Sequence, residues 1–347
     1  MFWQKKKSPI QPPPPPTKRF RFPWIFAVFV LFWSWFVWDS ITPRLPLPFE
    51  PPKLYSNQCR QDIRATLLKA IKGANHSIYL VMFGLTDRPI LSALAEKIRG
   101  RVPTTIFYDT GGSGKIFRYL QGADLHGIQN QGLMHQKILI LDDQTVFIGS
   151  ANMTTASLKM HDNLVIGLVS RPIAKFLQGH KPYSSGYIKE VVGGQKVEIW
   201  LLPDPRGGVL TELKKKIRGA QKTIQVALFT LTHPDLVDEV IAAHARGVET
   251  SVVIDLHSGL GASAKAVEKL KKAGVPVFLS RGAQLLHHKF VYIDNKTLVM
   301  GSANWTKAAL YKNSDCILAL DHLNEEQRRF MNQLWSSIEI SVQQPTP

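Results

Sequence analysis

Residues 133–154 read LMHQKILILDDQTVFIGSANMT, and residues 285–306 read LLHHKFVYIDNKTLVMGSANWT. His135 and His287, Lys137 and Lys289, and Asp142 and Asp294 fall at equal offsets in the two stretches. Gly149, Ser150, Asn152 and Thr154 are matched by Gly301, Ser302, Asn304 and Thr306. At ordinary residue usage such a seven-position pattern arises by accident less than about once in 10⁸ starts. Two ungapped copies in one chain therefore mark an internal duplication. The chain reads as a pseudo-dimer of one unit; its oligomeric state beyond that is left open.

Working outward from the two stretches, the flanking segments repeat as well. In the first copy, apolar spacing at Ile63, Leu67, Leu68 and Ile71 predicts a helix over 60–72. Strands are expected at 77–83 and 104–109, with a helix at 90–98 between them. The motif strands follow at 137–142 and 145–148, then a strand at 164–169. The second copy gives helix 209–218, strand 223–229, helix 234–245, strand 249–255, helix 262–272 and strand 275–279 before its motif. A closing helix is expected at 324–337. Phe83 and Thr86 match Phe229 and Thr232, and Asp109 matches Asp255. Alternation of helices with strands apolar on both faces predicts an α/β fold with mixed, largely parallel sheets covered by helices. Two α/β lobes related by a pseudo-two-fold axis are expected, over 58–170 and 196–340. Residues 171–195 would link them, and the site would lie at the lobe interface.

His135 and Lys137 are two residues apart, so on a strand their side chains share a face. The same holds for His287 and Lys289. Where two such faces meet, two imidazoles and two ammonium groups converge. Asn152 and Asn304, with Ser150 and Ser302, add neutral donors for a phosphate. Cationic and neutral donors together stabilise the charge of a pentacoordinate phosphoryl group. Imidazole titrates near neutrality and serves as nucleophile, acid or base. No zinc-ligand spacing of His, Cys and acids is present, and the reading calls for no metal and no cofactor. Asp142 and Asp294, five residues beyond the lysines, read as strand-end residues that hold a turn or brace the motif.

These residues resemble the HKD motif of the phospholipase D superfamily in its two-motif form, over roughly residues 55–340. The resemblance implies a phosphodiesterase whose catalytic set is His135, Lys137, Asp142, His287, Lys289 and Asp294. It implies a phosphohistidine intermediate, with His135 as nucleophile and His287 as general acid. It also implies that an acidic residue after the GSxN segment orients a histidine. Asp315 stands there in the second copy, whereas the first has Asn163, preceded by Asp162. The superfamily holds phospholipases, cardiolipin synthases and nucleases, so the resemblance fixes chemistry rather than substrate.

The remaining features bear on location and partner. Residues 1–22 carry six basic residues and no acid, with prolines at 12–16, and read as an extended tail. Residues 23–38, PWIFAVFVLFWSWFVW, contain no charge and read as a transmembrane or signal-anchor segment. Residues 39–57, with five prolines, read as a stiff spacer. The positive-inside bias places the N-terminus in the cytoplasm and the catalytic lobes on the other side. Cleavage of the segment as a secretion signal is the alternative. The net charge of +17 points to an anionic partner. Anchor and charge together favour a phospholipid membrane as partner and hydrolysis of a glycerophospholipid headgroup to phosphatidic acid. Nucleic acid is the alternative partner and a nuclease the alternative activity, with a cardiolipin synthase-type phosphatidyltransferase third. Cys59 and Cys316 are the only cysteines and read as buried core thiols, a pair only in an oxidising compartment. GGSGK at 111–115 is not a P-loop, because Ile116 stands where that motif needs Ser or Thr. It reads as a rim loop, with Lys115 and His257 as candidates to line the pocket. His126, His161, His244 and His288 read as ordinary packed histidines.

Overall fold

The computed structural model describes residues 1–3, 24–281 and 284–343. The greater part of the basic tail, and its proline run, lie outside them. The chain divides into two units, residues 1–42 and 43–347.

In the first unit the apolar segment forms one helix, Trp24–Ile41, of 18 residues. Apolar side chains are exposed along it, among them Trp24, Phe26, Phe29, Leu31 and Trp35. Among the described residues no helix is long and apolar enough to cross a membrane. The segment expected as a transmembrane or signal anchor at 23–38 falls on this helix, and residues 4–23 before it lie outside the described residues. At 1.5 Å per residue the helix rises about 27 Å, short of the roughly 30 Å hydrocarbon core. Asp39 and Ser40 occupy its last turn.

The second unit holds two large sheets and a short two-stranded one, Leu285–Leu286 with His161–Asp162. The seven-stranded sheet runs Lys53–Tyr55, Val165–Val169, Thr145–Gly149, Lys137–Leu141, Ile78–Met82, Thr104–Asp109, Asp124–Ile128. The eight-stranded sheet, from its opposite edge, runs Gly186–Val192, Gln195–Leu201, Cys316–Leu320, Thr297–Gly301, Lys289–Ile293, Thr223–Leu228, Glu249–Ile254, Val277–Leu279. Apart from the added edge strand Gly186–Val192, the two orders correspond strand for strand. The sheets are mixed, but antiparallel pairs outnumber parallel ones. Within the two large sheets, among the described residues, only the pairs from Ile78–Met82 to Asp124–Ile128, and from Thr223–Leu228 to Val277–Leu279, are parallel. The reason lies in the motif: Leu141 pairs with Thr145, and a turn that short joins only antiparallel strands.

A shared core lies between the two sheets. It includes Ile138, Ile140, Val146 and Ile148 from the first and Phe290, Tyr292, Leu298 and Met300 from the second. A further core backs each sheet under its own helices: Ile63, Leu67, Ile90 and Leu94 on one, Leu213, Ile217, Leu236 and Val240 on the other. The closing helix, Glu325–Gln343, adds Met331, Leu334 and Trp335 to the shared core. Burying both faces of each sheet is what makes the motif strands uniformly apolar. The segment expected as a linker is itself structured. It forms helix Arg171–Gly179 and strand Gly186–Val192, and the second sheet takes up that strand. Cys59 and Cys316 are both free and buried, and burial pushes both thiols well above their ordinary value, Cys59 to about 12.

Candidate active site

The motif strands begin at the same place on the two sheets. Met82 pairs with both Lys137 and Tyr108, and Leu228 pairs with both Lys289 and Ile254. One end of each sheet therefore carries the histidine, the lysine and the loops after the parallel strands. Short cross-repeat pairings join these ends. Leu285–Leu286 pairs in parallel with His161–Asp162, and Met134 bridges to Ser314. The His135 N–H donates to Ser314 O at 2.7 Å and the His287 N–H to Asp162 O at 3.0 Å.

Each histidine side chain is held by the other repeat. His135 Nδ1 lies 2.8 Å from Asp315 Oδ1. His287 Nδ1 lies 3.0 Å from Asn163 Oδ1. A carboxylate only accepts, so His135 Nδ1 carries the hydrogen. Asn163 Nδ2 donates to Ser157 O at 2.9 Å, which fixes the amide with its oxygen toward His287. Both rings therefore hold their hydrogen on Nδ1 and leave Nε2 for chemistry. Both histidines are 7% exposed.

The lysines lie beneath. Lys137 Nζ donates to His135 O at 2.6 Å, and Lys289 Nζ to His287 O at 2.8 Å. Lys137 stands 5.1 Å from the centre of the Phe83 ring and Lys289 5.2 Å from that of Phe229. The same two rings pack on His135 and His287 with centroids 5.3 Å apart. Phe83 and Phe229 thus belong to the site, as do Asp109 and Asp255, whose negative charges act on Lys137 and Lys289. The sequence signal for all four was their match between repeats outside the motif.

The site is a buried cluster of four basic side chains. Burial pushes Lys137 down to about 7, against the pull of Asp315 and Asp109. Burial and then Lys137 hold Lys289 well below its ordinary value. His135 is lowered by burial and Lys137, with Asp315 opposing. His287 is lowered further, by burial, Lys289, Lys137 and His135, with no carboxylate among its main influences. Such a cavity favours an entering anion, because a negative charge restores the protonated forms.

Four predicted site residues stand elsewhere. Asp142 lies five residues beyond Lys137, about 16 Å along the strand. Its carboxylate accepts the N–H groups of Asn75, His76 and Ser77. Asp294 does the same for Gln221, Lys222 and Thr223. Asp142–Asp143 and Asp294–Asn295 have φ between 53° and 56°, a left-handed turn geometry that Asp and Asn tolerate. Neither aspartate reaches the histidines, which corrects their place in a catalytic set. Ser150 and Ser302 do not face a phosphate either. Ser150 Oγ donates to Asn163 Oδ1 and accepts from the Leu164 N–H; Ser302 Oγ donates to Asp315 Oδ1 and accepts from the Cys316 N–H. They are 1% and 0% exposed and position the histidine partners. The preceding glycines permit this approach, since a Cβ on Gly149 or Gly301 would strike the carbonyl of Leu164 or Cys316. Asn152 and Asn304 stay half-buried, and their Oδ1 atoms have no partner within the protein. A cavity of about 1300 Å³ between helix Gly208–Arg218 and the 186–201 hairpin is lined by neither histidine. Among the described residues, no three or more His, Cys, Asp or Glu are grouped to hold a metal ion.

The family described as "Cardiolipin synthase, PLD-like domain" matches residues 67–180 and 213–337. The chain belongs to the phospholipase D superfamily, and its class is that of a phospholipase D-type phosphodiesterase. Over 174 residues it is 32% identical to a mitochondrial cardiolipin hydrolase of Chlamydomonas reinhardtii, covering 44% of this chain and 76% of that protein. Over 102 residues it is 34% identical to a mitochondrial cardiolipin hydrolase of Xenopus tropicalis, covering 29% and 48%. The match thus spans about half the length of the latter. The crystal structure of phosphatidylserine synthase from Haemophilus influenzae superposes with a TM-score of 0.66 at 12% identity, covering 89% of this chain and 91% of that one. That likeness concerns the fold.

Proposed function

We propose that the chain is a membrane-associated phospholipase D that hydrolyses the headgroup phosphodiester of glycerophospholipids to phosphatidic acid. Cardiolipin is the first candidate substrate, from the names of the relatives above. The observation that carries the chemistry is the pair of Nε2-free histidines, each fixed from the opposite repeat above a buried lysine. In this reading His135 Nε2 attacks phosphorus and the bond to the headgroup alcohol breaks, while His287 gives that oxygen its proton. The neutral His287 then takes a proton from water, the water oxygen attacks phosphorus, and the P–N bond breaks to release phosphatidic acid. Lys137, Lys289, Asn152 and Asn304 stabilise the equatorial oxygens. N-phosphorylation makes the imidazole ring cationic, and Asp315 is placed to stabilise that charge on His135. The neutral amide of Asn163 leaves His287 a weaker base, so its imidazolium releases a proton readily. The apolar surface of helix Trp24–Ile41 supports attachment to a bilayer without crossing it.

Purified full-length protein is assayed on phosphatidylcholine, cardiolipin and single-stranded DNA. Release of phosphatidic acid is expected from lipid, cardiolipin foremost, with DNA intact. Cleaved DNA beside inert lipid would assign the site to nucleic acid instead.

A further inference from the structure

Five of the loop segments at the catalytic end of the two sheets share a charge pattern. Residues 110–120, 129–134, 151–161, 256–263 and 303–313 contain no Asp or Glu, while Lys115, Arg118, Lys159, Lys307 and Lys312 lie within them. The same loops expose large apolar side chains: Leu133 at 48%, Met160 at 60% and Leu260 at 69%. One exposed leucine is ordinary, but these three lie at the end of the sheets that carries the histidines. Leu133 precedes His135 by two residues and is fixed by its N–H to Asn313 Oδ1 and by its carbonyl to the Ser314 N–H. Met160 adjoins His161, whose ring lies 5.9 Å from that of His287. Leu260 ends the short helix that starts beside Asp255, at the Lys289 end of its sheet. Lys312 occupies in the second repeat the position of Met160 in the first. Lys115, Lys159 and Lys312 are exposed and have no acidic partner among the described residues.

Apolar tips set among cations, with no acid between them, match the outer layer of an anionic bilayer. Such a surface binds through apolar area entering the headgroup region and lysines facing lipid phosphate. We propose that these loops dock the catalytic mouth onto an anionic phospholipid surface, with Leu133, Met160 and Leu260 entering the headgroup layer and Lys115, Lys159 and Lys312 facing phosphates. The inference rests on the lipid reading above and adds to it that substrate is drawn directly from the bilayer. A polyanion such as nucleic acid would satisfy the lysines but leave the apolar tips in water.

The test uses the full chain with single cysteines at Leu133→Cys, Met160→Cys and, as control, Val191→Cys, each carrying an environment-sensitive dye. The native cysteines are buried. Val191 is 68% exposed and pairs with Lys196, at the sheet end away from the catalytic mouth. With vesicles of phosphatidylcholine and cardiolipin, emission should shift to the blue at 133 and 160 and stay fixed at 191. No shift at 133 and 160, an equal shift at all three, or a shift with oligonucleotide rather than vesicles would overturn the proposal. In a second arm, Leu133→Ser with Met160→Ser should lower hydrolysis of vesicle lipid about tenfold. Hydrolysis of a monomeric short-chain phospholipid should stay within about twofold. Equal losses on both substrates would overturn the proposal. Dye insertion without lipid hydrolysis by the parent protein would leave the docking surface standing and remove the lipase reading; hydrolysis without insertion would do the reverse.

Discussion

The two histidine sites are built from the same parts except at one position. His135 and His287 share a buried lysine two residues on, a phenylalanine ring packed 5.3 Å away, a serine behind the orienting residue and a half-buried asparagine. The orienting residue differs: Asp315 holds His135 and Asn163 holds His287, at 2.8 and 3.0 Å. Duplication alone would give two equal histidines. A single carboxylate set against an amide in the same geometry makes one ring the better base and the other the better acid. Because each partner comes from the opposite repeat, neither half holds a complete site.

The largest effect expected is loss of turnover. His135→Ala and His287→Ala should each lower kcat/KM by about 10³-fold or more, since residues acting as a unit fail together. Robust turnover in either variant would break the two-histidine scheme. Next, Asp315→Asn makes the two sites alike. It should lower kcat by about 10²-fold, the scale of a lost partner that orients and charges a catalytic histidine. Asn163→Asp in that background places the carboxylate behind His287 and should not restore the rate; full restoration would show that the two sides are interchangeable.

The pH profile sharpens the same comparison. Burial, Lys289, Lys137 and His135 all push the His287 value down. His135 is lowered as well, by burial and the two lysines, and lowering both members of the pair moves the whole bell to lower pH. The optimum of kcat/KM should therefore lie on the acid side of neutrality, with limbs that belong to the coupled pair. Lys289→Met removes one of those charges and should move the alkaline limb upward, measured on whatever activity remains. An alkaline optimum would contradict this electrostatic picture. The smallest effect on rate is expected at the turns. Asp142→Ala and Asp294→Ala remove the acceptor for a run of backbone N–H groups far from the histidines. Each should cost about 1–3 kcal/mol of stability in denaturant unfolding. Activity of the folded fraction should stay within about twofold.

The repeat made most of this legible in sequence. Motif strands, their flanking helices and the His–Lys pairs follow from period and register, because both faces of each sheet are buried. Four kinds of feature did not follow. Strand Asp124–Ile128 is a polar edge strand containing Gly127, so it lacks the apolar run that marks the others. Strand Gly186–Val192 alternates half-buried and exposed residues and belongs to a segment with no counterpart in the first repeat. Ser150 and Ser302 look like phosphate donors by type, yet their hydroxyls are occupied by the residues that brace the histidines. The exchange of partners between repeats is invisible in a linear pattern, which places Asn163 beside His135 rather than His287.

The central claim is that His135, backed by Asp315, forms the covalent bond to phosphorus. It is tested in His287→Ala with a phospholipid analogue bearing a nitrophenyl leaving group, which needs little protonation to depart. Without the base that activates water, the adduct should accumulate and survive an alkaline quench. Mass spectrometry of the digested protein is predicted to find the phosphatidyl group on the peptide carrying residue 135, and His135→Ala should carry no label. Label on His287 in the parent enzyme, or turnover of lipid with no adduct on either histidine, would contradict it.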